Sequence, residues 1–328
     1  MKKVYSIDFQ LYKVTGVEKV MLDIHHAIQG EYEAKIVGNI PYAKVRSEHN
    51  IKQEEYVQKK SWFMFRNSIV IVHERRLLWM LWLLNHLLFQ RIKIVYIHHN
   101  IFNNRKLTTI LPKTIVAIAD SGIDNLTQYF GAPKSHIHKI YNCVPDEYDE
   151  PHAPMHRDIV TLLLPGRINM QKQQLEIVRQ LTGKLNPNIR ILFAGDGPML
   201  EELKDVCKDN KSFEVMGFRN DVKELLKKTD FVFLFSLHEG LPITLIEGTM
   251  VGMPIICNGV GGNSEICYNG ENGWVVNNWG ELIRTLNELP NITEDQYQRM
   301  CRRSREIYNE NFTFELFKRN YLNLLASL

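Results

Sequence analysis

Phe231-Val232-Phe233-Leu234-Phe235, followed by Ser236-Leu237-His238-Glu239-Gly240-Leu241-Pro242-Ile243-Thr244-Leu245-Ile246-Glu247, is the stretch around which the chain organises. Five consecutive apolar residues bounded by polar ones read as a strand buried on both faces, as in a parallel sheet. Beyond Pro242 the pattern turns helical and runs to Val251, where Gly252 and Pro254 stop it. In an open α/β sheet, ligands bind in the crevice at the carboxyl ends of the strands. A loop entering a helix there offers free backbone N–H groups to an anion. Glu239 in the loop and Glu247 in the first helical turns add carboxylates for hydroxyl groups. That pairing suits a phosphate-bearing sugar.

The surrounding half repeats the same alternation. Residues 160–164, 189–194, 213–216, 254–257 and 273–276 read as further strands, with helical patterns between them. Pro165-Gly166-Arg167 and Lys172 follow the first of these strands. In a parallel sheet both cations point into the crevice of the Glu239 loop. Arginine grips a phosphate bidentately and lysine adds a compact charge, which a diphosphate needs where no metal neutralises it. The sequence holds no Asp-x-Asp pair, which argues against the usual metal-chelating route, so no metal site and no cofactor are expected. Gly259-Val260-Gly261-Gly262 comes late in the domain and lacks the glycine spacing of a dinucleotide fingerprint.

The first half has the same grammar. Residues 4–9 give a strand, the loop Thr15-Gly16-Val17-Glu18-Lys19 follows, and Val20, Met21, Ile24 and Ile28 recur at helical spacing. Residues 34–37 and 68–72 are strands, and from 41 to 67 the pattern fades, with Lys59, Lys60 and Arg66 among Trp62, Phe63 and Phe65. His73-Glu74 closes the strand ending at residue 72, and His98-His99-Asn100 closes one at 92–97. Strands at 114–119 and 137–141 complete this half. Residues 77–89 are apolar except for Asn85 and His86, and too short to span a bilayer, which takes about 20 residues. Such a helix is either sandwiched in a core, as expected of a crossover between two strands, or lies against lipid. The second reading gains from Arg75, Arg76, Arg91 and Lys93 and from Trp79 and Trp82. Pro145, Pro151 and Pro154 with several acids mark residues 146–158 as the linker.

At 328 residues two domains are the prior, and 45% hydrophobic with 23% charged residues is ordinary for a globular protein. A formal charge of +3 does not call for nucleic acid. Cys143, Cys207, Cys257, Cys267 and Cys301 show no metal-ligand spacing, which points to a reducing, cytoplasmic compartment. The first residues lack the apolar core of a signal peptide and read as a strand. The expected organisation is α/β, two Rossmann-like doubly wound domains facing each other across a cleft. Residues 1–150 form an N-terminal acceptor domain and 157–307 a C-terminal nucleotide-sugar donor domain, with a C-terminal helix, 308–328, packing back on the first.

The motifs carry a resemblance. Pro165-Gly166-Arg167 with Lys172, Ala194-Gly195-Asp196-Gly197-Pro198, Met216-Gly217-Phe218 with Asp221, and Glu239-Gly240-Leu241-Pro242 with Glu247 are matching pieces. Gly261-Gly262 with Glu265, Asn269-Gly270 and Asn272-Gly273 continue the match. Over about residues 160–277 the chain resembles the retaining glycosyltransferases of family four (glycosyl transferases group 1, bacterial surface-polysaccharide type), whose two-Rossmann architecture is called GT-B. The resemblance implies that Arg167 and Lys172 hold the donor diphosphate, Glu247 the ribose, and Glu239 the donor sugar. It places Gly240, Leu241, Pro242, Ile243 and Thr244 at phosphate and sugar hydroxyls, and Gly217 and Phe218 beside the base. Glu265 is read either as part of the site or as a carboxylate supporting the glycine loop. In the first half, Gly16 lies in a loop similar to the family's glycine pair, with Thr15 in place of the first glycine. His99-Asn100 is similar to a His-Asp pair in which the histidine contacts the donor sugar, His98 being the other register. Asn142-Cys143-Val144-Pro145 stands where the family has Asn-Gly-Val-Asp.

The expected activity is a metal-independent hexosyl transfer from a UDP-sugar or GDP-sugar to a glycan or lipid-linked glycan, with retention, in lipopolysaccharide, capsule or other cell-surface glycan biosynthesis. Glu239, His99, Arg167 and Lys172 are its candidate catalytic residues. The expected location is the cytoplasm, with peripheral contact at the inner face of the plasma membrane. A nucleotide-sugar epimerase on the same fold and a non-catalytic nucleotide-sugar or glycan-binding protein are the alternatives.

Overall fold

The apolar runs assemble into two parallel sheets in this computed structural model, which describes residues 1–13, 15–147 and 158–328. Met1–Cys143 with Phe314–Leu328 form one packing unit and Val144–Thr313 the other. The first sheet comprises β1 (Lys3–Ile7), β2 (Glu33–Gly38), β3 (Tyr56–Gln58), β4 (Ile69–Val72), β5 (Lys93–His98), β6 (Thr114–Ala117) and β7 (Ile137–Lys139). Their spatial order is β3-β2-β1-β4-β5-β6-β7, every neighbouring pair parallel. The second comprises β8 (Val160–Pro165), β9 (Ile189–Ala194), β10 (Phe213–Gly217), β11 (Phe231–Leu234), β12 (Ile255–Cys257) and β13 (Gly273–Val275). Its order is β10-β9-β8-β11-β12-β13, again all parallel. Each sheet therefore reverses its winding once, between β1 and β4 in the first and between β8 and β11 in the second.

Central strands are buried on both faces, which is why they lack polar alternation. All four residues of β4 and all four of β11 are buried. Each such Val, Leu, Ile or Phe stabilises the fold by about 1.5–3 kcal/mol. The β11 face carries Phe231, whose ring meets Tyr297 edge-on at 5.5 Å, while the Tyr297 hydroxyl donates to Asp230 O at 2.7 Å. That contact ties the long helix Glu294–Asn311 to the second sheet.

Two sequence expectations are revised, and a third lies mostly outside the described residues. The faded segment 41–67 contains a further strand, β3, whose three residues are too few to show a period. The apolar helix after β4, expected as a buried crossover, runs as α2 (Leu78–Leu88) and buries only one side, through Leu78, Leu81 and Leu84. Trp79, Trp82, Leu83, Leu87 and Leu88 face solvent. The linker placed at 146–158 falls mostly on residues 148–157, outside the described residues. Within the second unit, Val144 is tied to the chain near residue 310: its N–H donates to Phe312 O at 3.2 Å and its carbonyl accepts from the Tyr308 hydroxyl at 2.7 Å. In the first unit the last helix, Phe314–Ala326, packs on α1 (Gly16–Ile28).

Gly195 shows why the second sheet needs glycine at its strand ends. A Cβ there would stand 1.9 Å from the Gly166 carbonyl oxygen, and Gly166 N–H donates to Ala194 O at 2.9 Å. The loop after β9 thus lies directly on the loop that carries Arg167. Gly195→Ala is expected to destabilise this unit by about 2 kcal/mol or more, as overpacking against backbone does; denaturant midpoints that match the parent would refute the contact.

Candidate functional site

In the second unit the loops after β8 and β11 open side by side at the point of reversal, the usual ligand position in such sheets. Two glutamines lock them together, and a third braces the β8 loop itself. Leu237 N–H donates to Gln171 O at 2.8 Å, the Gln171 amide donates to His238 O at 2.7 Å, and Gln173 donates to Phe235 O at 3.2 Å. Buried Gln174 holds Arg167 O at 3.1 Å and accepts from Asn169 N at 3.3 Å. Asn169 caps the short turn Met170–Lys172, accepting from Lys172 N–H at 3.0 Å. These bonds aim the lysine. Its Nζ lies 2.7 Å from Glu239 Oε1, with only 16% and 8% of the two side chains exposed.

The Glu239 loop is braced from its far side. Gly261 has φ +60°, and a Cβ there would stand 2.1 Å from Glu239 O; Gly262 N–H donates to Gly240 O at 2.6 Å. The glycine run that superficially suggests a dinucleotide fingerprint therefore supports Glu239-Gly240. Asn258 adds a second brace, exchanging bonds with the Ser236 backbone at 3.1 and 2.7 Å. The helix Ile243–Met250 then starts at Pro242 with no side-chain cap and no acid in its first turn. An uncapped helix start presents orphan N–H donors and a partial positive charge. Thr244 Oγ1, next to those donors, is buried without a hydrogen-bond partner. Arg167 is exposed at the neighbouring loop, and Glu247 is partly buried on the same helix. Gly217, with φ +68°, ends β10 and puts Phe218 74% exposed beyond it. Arg167, Lys172, Glu239, Gly240–Thr244, Glu247 and Gly217–Phe218 thus all sit at carboxyl ends of this sheet or on the helix that starts there. Such an arrangement offers cations and amides to phosphate oxygens, and carboxylates to hydroxyls.

The first unit has its own polar cluster at the β1/β4 reversal. Asp8, fully buried, accepts from Gln10 N–H at 2.6 Å, and its Oδ2 has no partner. Glu74 Oε1 accepts from Phe9 N–H at 2.5 Å, and its other oxygen lies 2.5 Å from Arg76 Nη2. Burial, reinforced by the charges of Glu74 and Glu18, pushes the Asp8 carboxyl up to about 7, against the lowering bond from Gln10. Sequence reasoning passed over Asp8; its one signal was an acid directly after an apolar strand.

His98 and His99 part company here. His98 Nε2 meets Asn125 Oδ1 at 3.0 Å and its Nδ1 the Tyr96 hydroxyl at 3.4 Å, so both nitrogens are engaged inside the fold. His99 Nε2 lies 3.0 Å from His73 Nδ1 with the two rings stacked, and His73 Nε2 has no partner. Burial drives His99 down to about 3, so its imidazole is neutral near pH 7. At the start of α1, Thr15 makes a capping box with Glu18, its backbone N–H donating to Glu18 Oε2 at 2.8 Å. Thr15, where a glycine was the family's usual residue, thus starts the helix; beside Gly16 nothing comes within 4 Å of an added Cβ.

Two parallel sheets, each reversing its winding once, give the chain the GT-B fold. Over residues 160–306 the chain matches the family Glycosyl transferases group 1. Anabaena HepE in complex with UDP superposes with a TM-score of 0.84 at 16% identity, covering 100% of both chains. The lipopolysaccharide outer core galactosyltransferase WaaB superposes with a TM-score of 0.82 at 18% identity, also over 100% of both. By sequence, the UDP-Gal:alpha-D-GlcNAc-diphosphoundecaprenol alpha-1,3-galactosyltransferase of Escherichia coli is 26% identical over 148 residues, 43% of this chain and 38% of that protein. The Vi polysaccharide biosynthesis protein VipC/TviE of Salmonella typhi is 29% identical over 43% of this chain and 26% of its own length. These matches span well under half of the relatives' length. An uncharacterized glycosyltransferase of Haemophilus influenzae is 24% identical over 96% of this chain and 97% of its own.

The Asp8 carboxyl gives a pH test. Its folded value, about 7, lies above the ordinary 3.8. The folded state therefore binds the proton more tightly, and stability falls as pH rises from about 4 to 7, by at most about 4 kcal/mol. In Asp8→Asn that loss is absent, so the melting-temperature difference, variant minus parent, grows across this window and levels off above it. A difference that stays flat from pH 4 to 8 would contradict the assigned environment.

Proposed function

We propose that the protein is a retaining, metal-independent glycosyltransferase moving a sugar from a nucleotide diphosphate sugar to a hydroxyl of a glycan or lipid-linked glycan. One observation carries this reading: Arg167, Lys172, the uncapped start of helix Ile243–Met250 and the unpartnered Thr244 hydroxyl converge on the β8/β11 reversal. An anion of two phosphates matches that set of donors. Glu239 and Glu247 supply acceptors for the sugar and ribose hydroxyls. Support for a UDP-sugar donor comes from the fold likeness to HepE bound to UDP, and for a lipid-linked acceptor from the diphosphoundecaprenol substrate of the Escherichia coli relative.

In the reaction the bond from the anomeric carbon to the diphosphate oxygen breaks, and the bond to the acceptor oxygen forms on the same face. The acceptor proton passes to the departing diphosphate. Arg167 takes phosphate oxygens through its paired N–H groups. Lys172 spends one of its three N–H donors on Glu239 and has two for the diphosphate. Because the Asn169 and glutamine bonds fix the backbone that carries these cations before reaction, they stabilise the developing charge with little reorganisation. The ion pair holds the Glu239 carboxylate in place for hydroxyl binding rather than proton abstraction. Five buried thiols suit the cytoplasm, the side from which nucleotide sugars are drawn.

Arg167→Ala is expected to lower turnover about 100-fold or more with the melting profile retained, and Lys172→Ala to lower it as much with a reduced melting temperature, because Glu239 loses its partner. Near-parental turnover in both would sink the assignment. A thermal-shift screen of nucleotide sugars identifies the donor, since a bound ligand raises stability with its concentration over Kd; no shift with any UDP- or GDP-sugar would count against the donor site.

A further inference from the structure

The solvent side of α2 is the unusual surface of the first unit. Its exposed positions recur at helical spacing: Trp79, Trp82, Leu83, His86 and Leu87, with Leu88 and Phe89 at the end. A surface helix ordinarily carries polar residues on this stripe. Here the largest exposures fall on Leu87, 64%, and Phe89, 77%, while His86 lies flat on the Trp82 ring at 4.2 Å. No helix among the described residues is long and apolar enough to cross a membrane.

The turn after α2 holds this surface open. Asn85 closes it by accepting from Ile92 N–H and donating to Ile92 O, both at 2.7 Å. Phe89 and Arg91 take left-handed conformations, φ +46° and +54°, where glycine or asparagine is usual. Burial does not account for Phe89 there. Asn67 N–H donates to Gln90 O at 2.9 Å, which brings the exposed Phe63 loop and Arg66 beside Arg91 and Lys93.

Charge selects the occupant. No Asp or Glu occurs between Glu74 and Asp120, a stretch with seven Lys or Arg. Residues 1–143 and 314–328 hold 22 Lys and Arg against 12 Asp and Glu, net +10, whereas residues 144–313 hold 18 against 25, net −7. Two copies of so basic a unit repel each other face to face. An anionic bilayer attracts it, and the tryptophans suit the headgroup boundary.

We propose that the solvent stripe of α2, with Phe63, Phe89, Arg66, Arg91 and Lys93, is a docking surface for anionic lipid bilayers. It deepens the lipid-linked-acceptor part of the proposed function by naming the surface that meets the membrane. Apolar side chains enter the headgroup boundary and the three cations sit at lipid phosphates.

Vesicle flotation of the full chain tests it, with phosphatidylcholine alone and with added phosphatidylglycerol. The protein is expected to float with the anionic vesicles and far less with the neutral ones, with a blue shift of tryptophan emission. Leu87→Glu/Phe89→Glu is expected to lower partition at least tenfold, and Arg66→Gln, Arg91→Gln and Lys93→Gln about fivefold each. The nucleotide-sugar thermal shift of each variant reports folding separately, so failure of the donor reading and failure of docking are distinguishable. Absence of partition onto anionic vesicles, or partition unchanged in the variants, overturns the proposal. A concentration-dependent dimer in light scattering that Leu87→Glu/Phe89→Glu disperses also overturns it, assigning the surface to a second copy.

Discussion

The ion pair between Lys172 and Glu239 is the contact on which the candidate site depends. It joins the two loops that flank the reversal of the second sheet, and both partners are largely withdrawn from water. A nearly buried pair is worthwhile only when geometry and further hydrogen bonds compensate the lost hydration. Both conditions are met by backbone. Asn169 and the glutamines fix the lysine loop, while Gly261 and Gly262 press against the glutamate loop from the other side. The pair is therefore as rigid as the sheet beneath it.

That rigidity explains the distribution of glycine in the second unit. The loops after β8 and β9, and those after β11 and β12, approach to backbone contact, and a Cβ at Gly195 or Gly261 would overlap a carbonyl oxygen. Motifs that look separate in the sequence, the glycine run at 259–262 and the Gly195-Asp196-Gly197 turn, are supports for Glu239 and Arg167. The first unit repeats the topology with different chemistry. Its reversal holds Asp8, His73 and His99, whose neutral forms burial favours, beside the Glu74–Arg76 ion pair. One fold thus carries a candidate anion site and a buried polar cluster on separate sheets.

The parallel sheets were legible because a strand buried on both faces must be apolar throughout, as residues 231–234 and 69–72 are. The residues of the proposed donor site stand out in the sequence because phosphate and hydroxyl recognition calls for few residue types, placed at strand ends. Three-residue β3 escaped because so short a strand has no period. Asp8 escaped because an acid at a strand end differs from a surface acid only in what surrounds it, and its neighbours Glu18 and Glu74 are 10 and 66 positions away.

Sequence alone settled that this is a two-part α/β chain, and it singled out Arg167, Lys172, Glu239 and Glu247 as the side chains proposed for a sugar nucleotide. Periodicity and residue chemistry are local properties, and they suffice for that. Tertiary structure decided the rest: that Lys172 meets Glu239, that His98 is committed inside the fold while His99 pairs with His73, and that α2 buries one side only. Hydrophobicity tells how much apolar surface a helix carries. Only the packing of Leu78, Leu81 and Leu84 tells which side of it the protein covers itself.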